Sequence, residues 1–157
     1  MYKRQGQDGS NYGVFGQRFS PVGAPAGSEF QINSYTTSDQ GPPAVAMDGS
    51  GNFVVVWASR YQDGSDYGVF SQRFNPAGAP VGSELRVNTH TTSAQLFSAV
   101  AAAGSGKFVV TWTSSGQDGS GLGVFGQRYG SATSIFADGF EAASACAWSA
   151  AVGGGCP

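Results

Sequence analysis

One phrase of thirteen residues occurs three times in this chain at constant spacing, and it constrains the fold more than any other feature. It reads QDGSNYGVFGQRF at 7–19, QDGSDYGVFSQRF at 62–74 and QDGSGLGVFGQRY at 117–129, which gives a period of 55 residues. The match extends past the phrase, because 7–34 and 62–89 agree at 19 of 28 positions. A fixed period of this length is typical of repeat proteins whose units contain several strands, such as propeller blades.

The complete unit predicts four strands joined by turns and loops. The segment NFVVVWAS is rich in β-branched and aromatic residues and predicts a strand buried on both faces. The preceding DGSG suits a tight turn, and the Pro- and Gly-rich NPAGAPVGS suits a loop. No apolar pattern with the helical period of 3.6 residues appears in the repeats. The four predicted strands cover 43–47, 52–59, 68–74 and 84–91.

The predicted fold class is therefore all-β, with four-stranded antiparallel repeats of 55 residues. The preferred architecture is a set of β-propeller-like blades, and an elongated β-repeat array is the alternative. The repeat region, 1–130, contains a partial unit at 2–34, a full unit at 43–91 and a partial unit at 98–129. A closed propeller has typically four to eight blades, so these roughly two and a half units predict completion by the remainder of a longer chain or by self-association.

Composition excludes some partners. Charged residues make up 11% of the chain and the net charge is −2, which argues against a nucleic-acid-binding surface. The longest strongly apolar run, 53–58, is far shorter than the roughly 20 residues that a membrane-spanning helix needs. The opening MYKRQGQDGS lacks the apolar region of a secretory signal, so we expect either a cytosolic protein or a missing N-terminus.

The repeat wording resembles that of large secreted or surface bacterial proteins described as hemolysin-like or cadherin-like, over residues 2–129. The tail IFADGFEAASACAWS, at 135–149, is similar to the short DGFE…WS segments that close many exported Gram-negative proteins. These resemblances imply a propeller-like fold, secretion or surface display, and a sorting or anchor role for 131–157. They do not imply a particular catalytic or binding activity. Calcium in such proteins belongs to glycine- and aspartate-rich nonapeptides, and that pattern is absent here.

Three repeated aspartates are the candidate metal ligands: Asp8, Asp63 and Asp118. Calcium prefers several oxygen ligands, and each loop offers one carboxylate. An aspartate in a Gly/Ser loop also bonds its own backbone and shapes a turn, which is the preferred interpretation. We expect no cofactor, with calcium as the weaker alternative.

Three arginines recur in the predicted third strand: Arg18, Arg73 and Arg128. Their position among Val and Phe predicts burial, and a buried charge needs a partner. The candidate carboxylates are Glu29, Glu84 and the loop aspartate, so an Arg73–Glu84 or Arg73–Asp63 pair is predicted. The alternative is an arginine set that binds an acidic ligand, as in sialidases.

The remaining candidates are aromatic residues, one acid and two cysteines. The functional interpretation is a sugar-binding surface formed by Tyr12, Tyr61, Tyr67 and Asp66. The alternative is that these residues only pack the loop. We expect Trp57 and Trp112 to pack between neighbouring units. Cys146 and Cys156 bracket a short Gly-rich loop and are predicted to form a disulfide, with free thiols as the alternative.

No residue pattern demands an enzyme. The predicted function is a non-enzymatic repeat module of an exported bacterial protein, which serves as a scaffold, in adhesion or in ligand binding through its loops. Its partner is then a glycan or a surface protein. The alternative is a fragment of a sialidase-like propeller hydrolase. Function is expected where the three copies disagree, namely at 60–61, at 66–67 and in the tail.

Overall fold

A computed structural model describes residues 2–104 and 106–130. These residues form an all-β structure without a helix. None of them belongs to a helix of the length and apolar character needed to cross a membrane. The ten strands of this part of the chain are β1 (Tyr2–Gln5), β2 (Tyr12–Gly16), β3 (Phe30–Gln31), β4 (Ala44–Met47), β5 (Phe53–Arg60), β6 (Tyr67–Phe74), β7 (Leu85–Arg86), β8 (Gln95–Ala103), β9 (Lys107–Ser115) and β10 (Leu122–Tyr129).

The strands assemble into three antiparallel sheets, one for each copy of the repeat. The first sheet has the order β1-β2-β3, the central sheet β4-β5-β6-β7 and the third sheet β8-β9-β10. Neighbours in each sheet are also neighbours along the chain, so every sheet is a meander. The antiparallel meander predicted for the full unit is therefore confirmed.

The central strand β5 is buried on both faces, as its sequence predicts. Successive side chains of a strand point to opposite sides of the sheet. On one side, Phe53, Val55 and Trp57 pack against Val14 and Ile32 of the first unit. The other side is occupied by Val54 and Val56, which pack with Phe108, Val110 and Trp112 of the third sheet. The core therefore consists of two layers of apolar side chains, one on each face of the central sheet.

The predicted fourth strand is much shorter than expected. It was predicted over 84–91, but β7 covers only Leu85–Arg86. The amide of Val87 still donates a hydrogen bond to the carbonyl of Val69 in β6. The side chain of the next residue, Asn88, accepts a hydrogen bond from the amide of Val69. Because the Asn88 side chain takes this place on the edge, the main chain can leave for the next sheet.

Candidate functional site

A group of charged and aromatic side chains lies where β5 ends and β6 begins. Arg60 and Tyr67 face each other across the two strands, and the intervening loop carries Tyr61 and Asp66. Asp39 reaches the same place from the segment that connects the first sheet to the central one, because its carbonyl accepts a hydrogen bond from the amide of Arg60. These five residues are called the Arg60 cluster below.

The guanidinium of Arg60 stands at the centre of the cluster. Its Nε lies 3.6 Å from Asp66 Oδ1, and one terminal nitrogen lies 4.0 Å from Asp39 Oδ2. Its central carbon lies 4.7 Å from the ring centroid of Tyr61 and 5.7 Å from that of Tyr67. Both distances are within the range of cation–π contacts. Since the Arg60 side chain is 39% exposed, solvent screens these interactions and the cluster adds little to stability.

The cluster belongs to the central unit only. The residues at the position of Arg60 in the other copies are Gln5 and Ser115, and those at the position of Tyr61 are Gly6 and Gly116. Asp66 is replaced by Asn11 and Gly121, and Asp39 by Ala94. The scaffold is thus common to the units, whereas this combination of charge and aromatic rings occurs in one of them.

Tyr61 adopts a backbone conformation that suits glycine. Its φ is +63°, and the two glycines at the equivalent positions both have φ of +72°. A residue with a Cβ pays about 1–2 kcal/mol in this left-handed region. Tyr61 is nevertheless 51% exposed, so burial of its side chain offsets only part of the strain. Strained residues of this kind are concentrated at functional sites, and this one turns an aromatic ring toward solvent.

The surroundings of Tyr67 raise the pKa of its hydroxyl. Partial burial raises the pKa of its hydroxyl above the ordinary value of 10.0, the charge of Asp39 raises it further, and Arg60 partly opposes the increase. At neutral pH the hydroxyl is therefore available both to donate and to accept a hydrogen bond.

Tyr12 lies close to the cluster through the backbone. The amide of Gln40 donates a 2.7 Å hydrogen bond to the carbonyl of Tyr12, and Asp39 is the preceding residue. The Tyr12 side chain is 40% exposed. The structure thus groups Tyr61, Tyr67 and Asp66 around Arg60 and brings Tyr12 to the neighbouring strand end. Arg60 was included only through the range 60–61, where the copies disagree, and Asp39 was not predicted, although its failure to repeat was visible in the sequence.

The three repeated aspartates shape turns. A 3.2 Å hydrogen bond connects the carboxylate of each to the amide two residues later, at Ser10, Ser65 and Ser120. Each carboxylate also covers a glycine five residues later; a Cβ on Gly68, for example, would lie 2.7 Å from Asp63 Cγ. No three His, Cys, Asp or Glu side chains within 2–104 and 106–130 are placed to hold a metal ion together.

The predicted arginine ion pairs are not present in the structure. Arg73 is exposed rather than buried, and no salt bridge within the described part of the chain joins it to Glu84 or Asp63. Glu84 instead accepts hydrogen bonds from Gln62 and from both the amide and the hydroxyl of Ser34.

The equivalent arginine of the first unit, Arg18, has a different contact from the one predicted. Arg18 donates a 2.9 Å hydrogen bond from Nη1 to the carbonyl of Pro76, in a loop of the next unit. Glu29, its expected partner, accepts a hydrogen bond of 2.6 Å from Gln7. The burial prediction is wrong for Arg73, whereas Arg18 is partly buried. Both arginines stand near the end of the third strand, where the long side chain reaches solvent or an adjacent loop.

Two buried polar pairs were missed by the sequence analysis. In each crossover between sheets, an asparagine accepts a 2.7 Å hydrogen bond from a β-strand amide and donates to a glutamine seven residues later. The glutamines in turn donate to backbone carbonyls of the connecting turn. The pairs are Asn33–Gln40 and Asn88–Gln95, and all four residues are buried. The TTSxQ motif shared by 36–40 and 91–95 was the sequence signal that could have pointed to these pairs.

Trp57 and Trp112 pack in the two layers between the sheets, with Trp57 inaccessible to solvent. Cys146 and Cys156 lie outside the described residues.

Grooves also open between the sheets, at the end opposite to the Arg60 cluster. The larger, about 370 Å³, lies between the first and central sheets and is lined mainly by apolar residues such as Phe30, Val45 and Met47. The groove between the central and third sheets is about 220 Å³ and includes Arg73 and Lys107. Neither groove brings together a nucleophile, a base and an acid, so the Arg60 cluster is the stronger candidate site.

No protein-family model, curated protein or solved structure matches this chain.

Proposed function

We propose that this chain is a non-enzymatic ligand-binding module, and that the ligand contacts the Arg60 cluster. The observation that carries the proposal is the departure of this cluster from the repeat: one unit of three combines an arginine, two carboxylates and two tyrosines on an exposed surface. In repeat scaffolds the common residues support the fold and the variable loops carry recognition. The resemblance to exported bacterial repeat proteins supports a place at the cell surface or in the medium.

A glycan is the ligand class that suits the cluster best. The exposed ring of Tyr61 offers a flat apolar surface against which the C–H face of a sugar can pack. Arg60 offers donors, the carboxylates of Asp39 and Asp66 offer acceptors, and the protonated hydroxyl of Tyr67 offers both. Sugar hydroxyls need this mixture of donors and acceptors around an apolar platform.

The stacked meanders support two arrangements of the complete scaffold. Blades around a central axis remain the preferred proposal, because Trp57 packs against the first unit and Trp112 against the central unit. An elongated stack of sheets uses the same contacts with a different rotation between neighbours.

Binding is tested with substitutions taken from the other copies of the repeat. We expect Tyr61→Gly to weaken glycan binding about tenfold, since the lost ring contact corresponds to about 1.4 kcal/mol. The full-length protein is first screened on a glycan array, and the affinity for each glycan that binds is then measured by titration calorimetry. Asn11→Gly, at the position equivalent to Asp66 in the first unit, is the matched control and should leave the affinity unchanged.

Binding that survives Tyr61→Gly, or an array without any bound glycan, contradicts the proposal. Release of product from an aryl glycoside by the wild-type protein instead supports the hydrolase alternative.

The same substitution separates binding from stability. We expect Tyr61→Gly to leave the free energy of unfolding unchanged or to raise it by up to about 1 kcal/mol, because the relieved strain exceeds the lost cation–π contact. Urea denaturation measures the change. A loss of more than about 1 kcal/mol would show that Tyr61 supports the fold, since surface positions normally change stability by less.

A further inference from the structure

Four residues other than glycine have a positive φ within 2–104 and 106–130, and two of them are aromatic. Ser38 and Ser93, with φ of +65° and +62°, occupy equivalent positions in the two crossovers, so their conformation belongs to the common scaffold. Tyr61 replaces a glycine, as described above. Phe97, with a φ of +54°, stands where the first crossover has Pro42. The repeat therefore accounts for the two serines, but not for an aromatic side chain at either of the other positions.

Phe97 is the exposed member of a β-bulge. Two residues of β8, 97 and 98, stand opposite the single residue Trp112 of β9. Phe97 is 69% exposed, so burial of its ring offsets little of the cost of a left-handed backbone, which is unfavourable for a bulky residue. Bulges re-aim side chains next to functional sites, and strained residues are concentrated at such sites.

The bulge and the Arg60 cluster belong to facing surfaces of two sheets. Trp112 packs in the layer between the central and third sheets, and residues that oppose it in β8 lie on the same side of the third sheet. Arg60 lies on the same face of β5 as Val54 and Val56, because side chains alternate along a strand. That face of the central sheet packs against the third sheet.

A hydrogen-bond network brings the bulge close to the loop that carries Tyr61. The Nδ2 group of Asn88 donates to Asp63 Oδ2 at 3.1 Å and to Gln95 Oε1 at 3.2 Å. Asp63 lies in the same tight turn as Tyr61, since the amide of the residue after Asp63 donates to the carbonyl of Tyr61. Gln95 precedes Phe97 by two residues, which is about 7 Å along a strand. The two strained aromatic residues therefore flank one crossover at the same end of the sheets.

The other junction between sheets has neither aromatic residue. Where the first sheet meets the central one, the equivalent positions carry Gly6 in place of Tyr61 and Pro42 in place of Phe97. Both crossovers nevertheless contain the same buried asparagine–glutamine pair. The crossover thus forms without the two aromatic rings, and the rings occur together at one junction.

We propose that Phe97 is a second contact for the glycan, and that the ligand is an oligosaccharide that extends from Tyr61 of the central unit to Phe97 of the third. This inference rests on the proposed function, because it adds a contact to the same site. Packed sheets lie about 10 Å apart, so a single sugar ring is too short to contact both aromatic rings. A chain of several sugars can place the C–H face of a different sugar against each ring.

The length dependence of binding tests the proposal. The full-length protein is applied to a printed array that carries the monosaccharide to the hexasaccharide of linear glucose, xylose, mannose, galactose and N-acetylglucosamine chains, and calorimetry measures the affinity for each series that binds. We expect the hexasaccharide to bind at least about tenfold more tightly than the monosaccharide, which corresponds to one additional aromatic contact.

Substitutions at Phe97 identify the ring responsible for this increase. Phe97→Ala should weaken hexasaccharide binding about tenfold, whereas Phe97→Tyr keeps an aromatic ring and should retain the wild-type affinity. The matched control is Phe19→Ala, which removes a phenylalanine that is 60% exposed at the opposite end of the sheets and should leave the affinity unchanged. Because Phe97 is exposed, Phe97→Ala should keep a urea unfolding midpoint close to that of the wild type.

The outcomes separate this inference from the proposed function. Equal affinities for the monosaccharide and the hexasaccharide overturn the inference, and so does an unchanged affinity of Phe97→Ala for the hexasaccharide. In either case, weaker binding by Tyr61→Gly leaves the proposed function in place. Binding that neither substitution weakens, or an array without any bound glycan, contradicts the proposed function together with the inference.

Discussion

Replacing Trp57 by alanine is expected to lower the free energy of unfolding by about 3–5 kcal/mol, the usual cost of removing a large aromatic side chain from a core. Trp57 is inaccessible to solvent and lies in the middle of β5, where it contacts the first unit. Its loss leaves a cavity between two sheets, and neither sheet can close it without disturbing its own hydrogen bonds. Urea denaturation followed by tryptophan fluorescence and circular dichroism measures the change.

The control for this substitution is Phe97→Ala. Phe97 is also aromatic, but it is 69% exposed, so its removal should cost less than about 0.5 kcal/mol. A loss below about 1 kcal/mol for Trp57→Ala contradicts the close packing of the first and central sheets, since cavities of this size cost more.

Replacing Asn88 by alanine is expected to lower the free energy of unfolding by about 3 kcal/mol or more, because each buried polar group left unsatisfied costs about 1–3 kcal/mol. Its Oδ1 accepts from the amide of Val69 at 2.7 Å, and its Nδ2 donates to the carbonyl of His90 at 2.8 Å and to Gln95 Oε1 at 3.2 Å. Asn88 is 1% exposed, so water has little access to the groups that lose their partner.

Denaturation of Asn88→Ala, Gln95→Ala and the double variant forms a cycle that measures the coupling of the two residues. We expect a coupling energy of about 1 kcal/mol, as is usual for residues in one hydrogen-bond network. The matched control, Asn11→Ala, changes an exposed asparagine and should be nearly neutral. Additive effects of the two substitutions would show that the pair does not act as a unit.

The sequence predicted much of the strand framework. The two-sided burial of β5 follows from its uninterrupted apolar residues, and the loops around Asp63 and Asp118 follow from their Gly and Ser neighbours. These features depend on residues close together in the chain. The local pattern therefore contained the information needed to predict them.

Predictions that depended on contacts between residues distant in the sequence were less accurate. Arg73 was expected to be buried with Glu84 or Asp63, yet it is exposed, and Glu84 accepts hydrogen bonds from Ser34 of the preceding unit. A pattern of alternation shows which face of a strand a residue occupies. It does not show whether the neighbouring sheet extends far enough to cover that residue. The Asn88–Gln95 pair was missed for a similar reason, because polar residues in a connecting segment predict solvent exposure unless the crossover is known to be enclosed.

The candidate site also combines residues that the sequence predicted with a contact that only the tertiary structure revealed. From the sequence, Tyr61, Asp66 and Tyr67 were singled out because the copies differ there. The approach of Asp39 to Arg60 follows from the path of the crossover, which no local pattern reveals.

By itself the sequence determined three antiparallel β units of equal period, with their turns and their buried central strand, because these follow from side-chain alternation and turn chemistry within each copy. Only the tertiary structure decided which faces meet, which polar groups the crossovers enclose, and that one unit gathers charge and aromatic rings around Arg60. Those outcomes depend on how neighbouring sheets pack. Identical residues such as Val69 and Val124 are therefore buried or exposed according to what lies against them.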